Sequence, residues 1–148
     1  MKFSNWVRWK DRHSLSRLQH PGVYAIAITD IDLSNMKYDW IGEIVYFGMT
    51  NSRGGLKSRL RQFERTLKGK GGHGGAARVI FEHHSYDHLI PKLYLAVLPF
   101  ECNVLSSNPT DLQIMGKVAK CEYDCIAAYV EKHGRLPQFN DKKLSPKK

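Results

Sequence analysis

The chain has 148 residues, of which 42% are hydrophobic and 25% are charged, a composition typical of one globular domain with its own core. It has no apolar run of about 18 residues and no signal-peptide core, so the sequence predicts a cytoplasmic protein that does not enter a membrane. Its 23 Lys and Arg against 14 Asp and Glu give a net charge of +9, which favours a polyanionic partner such as DNA or RNA.

The first part of the chain predicts two strands joined by a long connection. Residues 1–20 are predicted as an N-terminal extension or short helix. Residues 22–29 are rich in β-branched and aromatic side chains, which is typical of a strand, and residues 44–50 predict the returning strand. Residues 30–43 are polar and contain Asn35 and Gly42, so they are predicted as a hairpin excursion between the two strands.

Glycines divide the middle of the chain into short elements. After a turn that contains Gly54 and Gly55, residues 56–68 predict a helix. Five glycines within residues 69–75 predict a loop. Residues 76–81 predict a short helix, and residues 82–88 predict a polar turn.

The last part predicts a third strand and a long helix. Residues 92–98 predict the strand. Asn108 followed by Pro109 is a strong helix start, because asparagine caps the first turn and proline suits the first helical position. This helix should run to about Lys132 and end at Gly134.

The predicted fold class is α/β of the α+β type, with a small three-stranded antiparallel or mixed sheet flanked by helices. One domain is expected over residues 21–140, with residues 30–43 as an insertion. Residues 1–20 would precede this domain, and residues 141–148 would form a basic disordered tail.

Glu122 is predicted to interrupt the apolar face of the long helix. At about 100° per residue it falls on an arc with Met115 and Ile126, whereas Lys120 and Asp124 take the opposite face. A carboxylate in an apolar stripe is costly unless an arginine or a metal ion pairs with it. A structural Glu–Arg pair and a functional site both fit this pattern.

The helix over residues 56–68 has an apolar and a basic stripe. The apolar stripe consists of Leu56, Leu60, Phe63 and Leu67. The basic stripe consists of Lys57, Arg61, Arg65 and Lys68. These cations suit nucleic-acid phosphates, although ordinary solvation explains any single one of them. Arg59 belongs to neither stripe and stands at the edge of the apolar one, from which its side chain can reach over the sheet.

Two tyrosines accompany glycines in the first two strands. Tyr24 follows Gly22, and Tyr46 precedes Gly48. Tyrosines in strands are most often packing residues. The glycines remove side chains beside them, which would allow a phosphate backbone to approach. Two phenols, an arginine and a carboxylate form a coherent set for phosphodiester hydrolysis.

In this order the motifs resemble those of the GIY-YIG nuclease superfamily. Gly22-Val23-Tyr24 and Tyr46-Phe47-Gly48 would be variants of the two triplets that name the family. The segment that ends in Arg59 resembles its arginine helix, and His73 resembles its loop histidine. Residues 137–140, which end in Asn140, resemble its terminal asparagine segment. The resemblance spans residues 21–140.

The resemblance implies a role for each of these residues. Tyr24 would help to activate the attacking water, and Tyr46 and Arg59 would position and neutralise the phosphate, with His73 near the scissile bond. Glu122 would hold one divalent ion, Mg²⁺ or in its place Mn²⁺, without any organic cofactor. The implied activity is a metal-dependent endonuclease that acts on DNA, as a homodimer or within a larger complex that supplies specificity.

The match departs from the family pattern in two places besides the softer triplets. The family separates its triplets by about ten residues, whereas residues 30–43 lengthen this connection, and such insertions cost little. Many members have a histidine four residues after the arginine, where this chain has Phe63. That difference shifts the acid–base role toward His73 or Tyr24.

Two other classes of function stay open. His84 and His88, next to His83, could grip zinc if helical, but Cys102, Cys121 and Cys125 form no C-x-x-C pair to complete a site. Alternatively, the chain could be a nucleic-acid-binding module on the same fold with little or no activity. In that case Trp6 and Trp9 would stack on bases as exposed aromatic residues. Glu122 discriminates the two, because a pure binder needs no acid in an apolar stripe.

Overall fold

The computed structural model describes residues 2–142. The strands are β1 (Val7–Arg8), β2 (Gly22–Ile28), β3 (Ile44–Thr50) and β4 (Leu93–Pro99). The α-helices are α1 (Gly55–Leu67), α2 (Gly74–His83), α3 (Tyr86–Leu89) and α4 (Pro109–His133). Short 3-10 helices cover Trp9–Ser14, Ile90–Lys92 and Gln138–Asn140. Within residues 2–142, no helix has the length and apolar composition needed to cross a membrane.

The strands form one antiparallel sheet in the order β1-β4-β2-β3. The α+β class is therefore confirmed, but the sheet has four strands where three were predicted. The additional strand, β1, pairs only Val7 with Leu95 and Arg8 with Tyr94. Two residues are too few to produce an alternating pattern, so β1 left no signal in the sequence.

The sheet separates two hydrophobic cores. Because side chains alternate along a strand, Tyr24 and Ile26 of β2 join the core under α1 and α2, whereas Val23, Ala25 and Ala27 join the core under α4. The central strand β2 is buried along almost its whole length. Side chains of β2 and β3 that face α1 and α2 are therefore packed on all sides by other parts of the protein.

The N-terminal residues, predicted as an extension or short helix, contain the 3-10 helix Trp9–Ser14 and also contribute to both cores. Trp9 is 0% exposed in the core under α1, and Trp6 is 1% exposed in the core under α4. The Trp9 indole N–H also donates to Glu64 Oε1 at 3.2 Å. Neither tryptophan can stack on a nucleic-acid base, because both are already used to fill the interior.

The excursion over residues 30–43 covers the α4 side of the sheet. Leu33 is buried there, and Tyr38 and Trp40 pack against the same core. Tyr129 of α4 donates to Gly42 O at 2.9 Å, which ties the end of the excursion to the helix. The predicted insertion is thus an integral part of the second core.

The helix predictions are largely confirmed. In α4 the Asn108 side chain accepts from Thr110 N at 3.0 Å, and the helix ends at Gly134, whose φ is +73°. The second helix, α2, is longer than the predicted residues 76–81, and α3 lies inside the predicted polar turn. Of the predicted tail over residues 141–148, residues 143–148 lie outside the described residues.

Replacement of Trp6 tests the reassignment of the N-terminal residues. We expect Trp6→Ala to lower the free energy of unfolding by about 3–5 kcal/mol, because a fully buried indole leaves a cavity. Urea unfolding followed by circular dichroism measures the change. Phe81→Ala is the control, since Phe81 is 56% exposed and its loss should cost about 0.5 kcal/mol or less. Equal small effects in both variants would contradict the assignment of Trp6 to the core.

Candidate active site

The pairing of β2 with β3 places the two tyrosines side by side. Tyr24 is opposite Gly48, and Tyr46 is opposite Ile26, so both tyrosines face α1 and α2. Their ring centroids are 6.1 Å apart. Phe63 of α1 lies 6.5 Å from the Tyr24 ring and 6.3 Å from the Tyr46 ring, and it shields both from water. At the position four residues after the arginine, where many members of the family have a histidine, this chain therefore places the apolar ring of Phe63 against the two tyrosines.

Glycines make room for these rings. A Cβ on Gly48 would lie 2.3 Å from Tyr24 Cζ, so the Tyr24 ring crosses directly over that residue. A Cβ on Gly75 would lie 2.5 Å from Tyr46 Cζ. Gly22 instead accommodates the β4 backbone, because its Cβ would lie 2.3 Å from Leu98 O. The space beside the tyrosines is thus filled by protein, which corrects the expectation that the glycines open it to a phosphate backbone.

His73 joins the first turn of α2 to Tyr24. Its Nδ1 accepts from Ala76 N at 3.2 Å as the N-cap of the helix, and its Nε2 lies 2.6 Å from the Tyr24 hydroxyl. The ring is 2% exposed. Burial, followed by the charges of Arg59 and Arg78, lowers its pKa to about 3, so the imidazole is neutral at physiological pH.

These contacts fix the tautomer of His73. A neutral imidazole carries one hydrogen, and Nδ1 is already an acceptor, so the hydrogen is on Nε2. His73 therefore donates to the Tyr24 oxygen and cannot take the phenol proton without losing the cap on α2. A donor at this position stabilises negative charge on Tyr24, which makes His73 a supporting group and not a base.

Both phenols are protonated at neutral pH. Burial raises the pKa of Tyr24 well above its usual value, and the nearby Arg59 charge only partly opposes this. Burial also raises the pKa of Tyr46, again opposed by Arg59. Tyr24 is 0% exposed, and Tyr46 is 8% exposed. At Tyr24 the effect of desolvation outweighs that of the arginine.

The positive charge of Arg59 acts on three titratable groups of the site. It is half-buried on α1, as its place at the edge of the apolar stripe predicted, and its Nη1 donates to Gln62 Oε1 at 2.8 Å. Its charge lowers the pKa values of Tyr24, Tyr46 and His73. One guanidinium thus acts on groups from two strands and the loop before α2.

Glu122 lies at the margin of the buried face of α4 and not inside it. The buried residues of α4 are Val118, Cys121, Cys125 and Tyr129. Leu112, Ala119 and Val130, which helical spacing also places on the arc predicted to be buried, are exposed, so the predicted arc was displaced around the helix. Although α4 packs on the opposite face of the sheet, the Glu122 charge raises the pKa of Tyr46. Because α4 contacts β3, which carries Tyr46, this charge acts across the edge strand of the sheet.

The Glu122 carboxylate is the group of the site that could hold a divalent ion. The side chain is half-buried, and burial raises its pKa, with Arg59 acting in the opposite direction. Within residues 2–142, no ion pair joins Glu122 to Arg59 or to another cation. Mg²⁺ commonly binds proteins through one or two carboxylates, keeping its other positions for water and phosphate oxygens. A single accessible carboxylate is compatible with that chemistry.

Asn140 secures the outer edge of β3. Its Oδ1 accepts from Phe47 N, and its Nδ2 donates to Phe47 O, both at 2.9 Å. This pair satisfies the middle residue of the Tyr46-Phe47-Gly48 triplet on the side without a neighbouring strand. Asn140 therefore holds the backbone of β3 in place next to Tyr46.

Arg78 of α2 is a residue of the site that the sequence analysis missed. It is 8% exposed, and its Nε donates to Phe139 O at 2.7 Å. Its charge lowers the pKa values of Tyr46 and His73. The only signal in the sequence was an arginine inside an otherwise apolar helical segment.

The basic stripe of α1 is exposed, as predicted. Lys57, Arg61, Arg65 and Lys68 all face solvent, while the apolar stripe of the same helix is buried. Lys68 Nζ lies 5.1 Å from the centroid of the Tyr86 ring, so this lysine is partly committed to a cation–π contact.

The histidines at the end of α2 do not form a metal cluster. Within the described residues, no group of three or more His, Cys, Asp or Glu side chains is arranged to hold a metal ion. His84 adopts a left-handed conformation with φ of +63° after the last turn of α2, and His88 lies in the separate helix α3. They therefore do not share one helix face, as a grip on zinc would require.

No protein-family model, curated protein or solved structure matches this chain.

The protonation state of His73 can be tested through stability. Because its folded pKa of about 3 lies below the ordinary 6.5, the unfolded chain binds an extra proton in acid, and stability falls as the pH drops below 6.5. At pH 5 this loss should reach about 2 kcal/mol. We expect His73→Asn, which keeps an N-cap side chain, to remove about that much of the loss between pH 7 and pH 5 in urea unfolding. Identical acid sensitivity in both proteins would contradict a buried, neutral His73.

Proposed function

We propose that the protein is a metal-dependent endonuclease that hydrolyses DNA phosphodiester bonds at the site formed by Tyr24, Tyr46, Arg59 and Glu122. The observation that carries this proposal is that Tyr24 and Tyr46 lie side by side and that the charges of Arg59 and Glu122 both act on them. Packing alone does not require an arginine, two phenols and an acid without an ion-pair partner to meet. The resemblance to the GIY-YIG superfamily supports the same reaction.

Arg59 and Tyr46 are proposed to hold the scissile phosphate. Arg59 is half-buried, and a guanidinium in partly dry surroundings binds phosphate more strongly than one in water. Tyr46, the more exposed of the two tyrosines, can donate its hydroxyl hydrogen to a phosphate oxygen. Gly74 and Gly75 begin α2 beside Tyr46, so a helix N-terminus adds a favourable field for an anion.

Tyr24 is proposed to take part in activation of the attacking water, with His73 in support. The Nε2–H···O contact from His73 favours the phenolate form of Tyr24, and Arg59 favours it as well. Because burial opposes both, the active phenolate would be a minor species at neutral pH. The reaction should therefore depend on hydroxide concentration.

Glu122 is proposed to hold one divalent cation, Mg²⁺ or Mn²⁺. A bound cation would stabilise negative charge on the leaving oxygen. Ligation requires the carboxylate form, and burial raises the pKa of Glu122. Metal binding should therefore weaken at a higher pH than it does for an exposed glutamate.

A binding module with little activity is the second candidate, and one observation favours it. Tyr24 is 0% exposed with a raised pKa, which is unfavourable for a group that must lose a proton. Clear DNA binding without cleavage in any divalent metal would support this candidate over the nuclease.

Cleavage of supercoiled plasmid tests the nuclease directly. We expect nicking or linearisation in Mg²⁺ or Mn²⁺ and none in EDTA. Tyr24→Phe should lower the rate by about 10²–10⁴-fold, the usual worth of acid–base assistance, and Glu122→Gln should abolish turnover. Both variants should still bind DNA in a gel-shift assay. Normal cleavage by a folded Glu122→Gln would exclude the metal-site assignment.

The pH dependence tests the tyrosine role separately. With the pKa of Tyr24 raised above 10, the fraction of phenolate grows about tenfold per pH unit across the neutral range. Single-turnover cleavage rates at saturating DNA should therefore rise without a plateau between about pH 7 and pH 9. Tyr24→Phe should show a much flatter profile. A wild-type plateau below pH 8 would indicate a base with a lower pKa.

The basic stripe of α1 should set affinity without changing the chemistry. Replacing Lys57, Arg61 or Arg65 with glutamine should lower the log–log salt slope of DNA binding by about one for each phosphate that the protein no longer neutralises. Lys37→Gln is the matched control, because Lys37 is exposed on the excursion that covers the other face of the sheet. Equal changes for Lys37 and the α1 residues would place DNA elsewhere.

A further inference from the structure

The outer face of α4 carries an apolar stripe that the described part of the chain leaves uncovered. Its members recur every three or four residues and are all exposed: Leu112, Gly116, Ala119, Tyr123, Ala127 and Val130. Tyr123 is 73% exposed, and Leu112 is 51% exposed. Since the buried face of α4 already packs on the sheet, the helix is apolar on two sides.

The concentration of apolar groups on this line is unusual for a monomer surface. Single exposed apolar residues are normal, but a continuous row marks an interaction surface. Small residues at Gly116, Ala119 and Ala127 leave the helix backbone accessible to close approach by another helix. Apart from its own stretch of helix, no atom of residues 2–142 lies within 4 Å of the position of a Cβ on Gly116. The small side chains of the stripe therefore allow the backbone of another helix to pack closely against α4.

We propose that this stripe binds the same stripe of a second copy of the chain, with the two α4 helices antiparallel. A two-fold axis near Tyr123 would place Tyr123 against its own copy. The same axis would place Ala119 opposite Ala127, and Gly116 opposite Val130. Each bulky residue then meets a small one, apart from the central tyrosine pair, as close helix packing requires.

The charges beside the stripe match this antiparallel register. Lys117 and Lys120 precede Tyr123, whereas Asp124 and Glu131 follow it on the same side of the helix. An antiparallel partner pairs this flank of the helix with its own copy, so Lys120 lies opposite Asp124 and Lys117 opposite Glu131. Within one chain Lys120 Nζ already pairs with Asp124 Oδ2 at 2.8 Å, so the partner would extend this pair into a network.

The contact would leave the candidate active site open. Glu122 and Tyr123 are neighbours, so their side chains leave the helix about 100° apart. Glu122 faces the β3 edge, while Tyr123 faces away from the sheet. This inference therefore does not depend on the proposed function, since its test measures mass and not cleavage.

The size of the surface predicts weak association. The stripe from Leu112 to Val130 is about 27 Å long. A single helix pair of this length is at the small end of specific interfaces, so we expect a dissociation constant of roughly micromolar order. Dimers should therefore appear only as concentration increases.

Sedimentation equilibrium of the full chain tests the inference. Between about 1 and 500 µM the mean mass should rise from the monomer value of 17.0 kDa toward twice that value. Ala119→Asp should weaken association by at least about a hundredfold, because each copy would bury a carboxylate at the contact. Gln19→Glu, which makes the same charge change on an exposed residue outside α4, should leave association unchanged. A single 17.0 kDa species throughout would overturn the proposal, as would a dimer that tolerates Ala119→Asp.

A charge swap tests the register independently of the apolar contact. Lys120→Glu and Asp124→Lys should each weaken association about five- to tenfold, because each creates two like-charge contacts across the axis. The double variant should return to within about threefold of the wild type, since it restores opposite charges. Failure of the double variant to recover, with its fold intact by circular dichroism, would overturn the antiparallel pairing.

Discussion

The burial of the Tyr24 hydroxyl constrains the rest of the candidate site. The ring crosses Gly48 at a distance that excludes any side chain there, and the hydroxyl meets His73 Nε2 at 2.6 Å. A buried phenol requires such a partner, because an unsatisfied hydroxyl in a core is costly. His73 also accepts from Ala76 N at Nδ1, so the start of α2 is tied to the centre of the sheet. The glycine-rich loop is thereby fixed at the end that faces the tyrosines.

Burial of these groups also determines their pKa values. Desolvation raises the pKa values of both tyrosines and lowers that of His73, so each titratable group is held in its neutral form. Arg59 stays charged among them and therefore carries a positive potential that bulk water does not fully screen. Such a place favours an incoming anion. Asn140 closes the edge strand β3 through both backbone groups of Phe47. The charge of Glu122, on the helix that packs on the other face of the sheet, acts on Tyr46 across this strand.

Local patterns predicted most elements, because the strands and helices of this chain are long enough to show their periods. They failed for β1, whose two residues have no period, and for residues 1–20, where Trp6 and Trp9 are surrounded by charges in sequence but buried in the fold. Tyr24, Tyr46, Arg59 and Glu122 were predicted as a set from the order of the motifs. Their protonation was not predictable, because desolvation depends on Phe63 and on packing from distant parts of the chain. The face of α4 was misjudged because that helix is apolar on two sides, so sequence alone could not select the side that packs.

The proposal depends most on a divalent ion at Glu122, and this can be measured without a substrate. Titration of ¹⁵N-labelled protein with Mn²⁺ should broaden the amide signals of residues around Glu122 first, by paramagnetic relaxation, and excess Mg²⁺ should reverse the effect. Glu122→Gln keeps the size of the side chain but removes the charge, and it should abolish the local broadening. Broadening that is centred elsewhere, or that persists unchanged in Glu122→Gln, would contradict the metal site and with it the proposed nuclease chemistry.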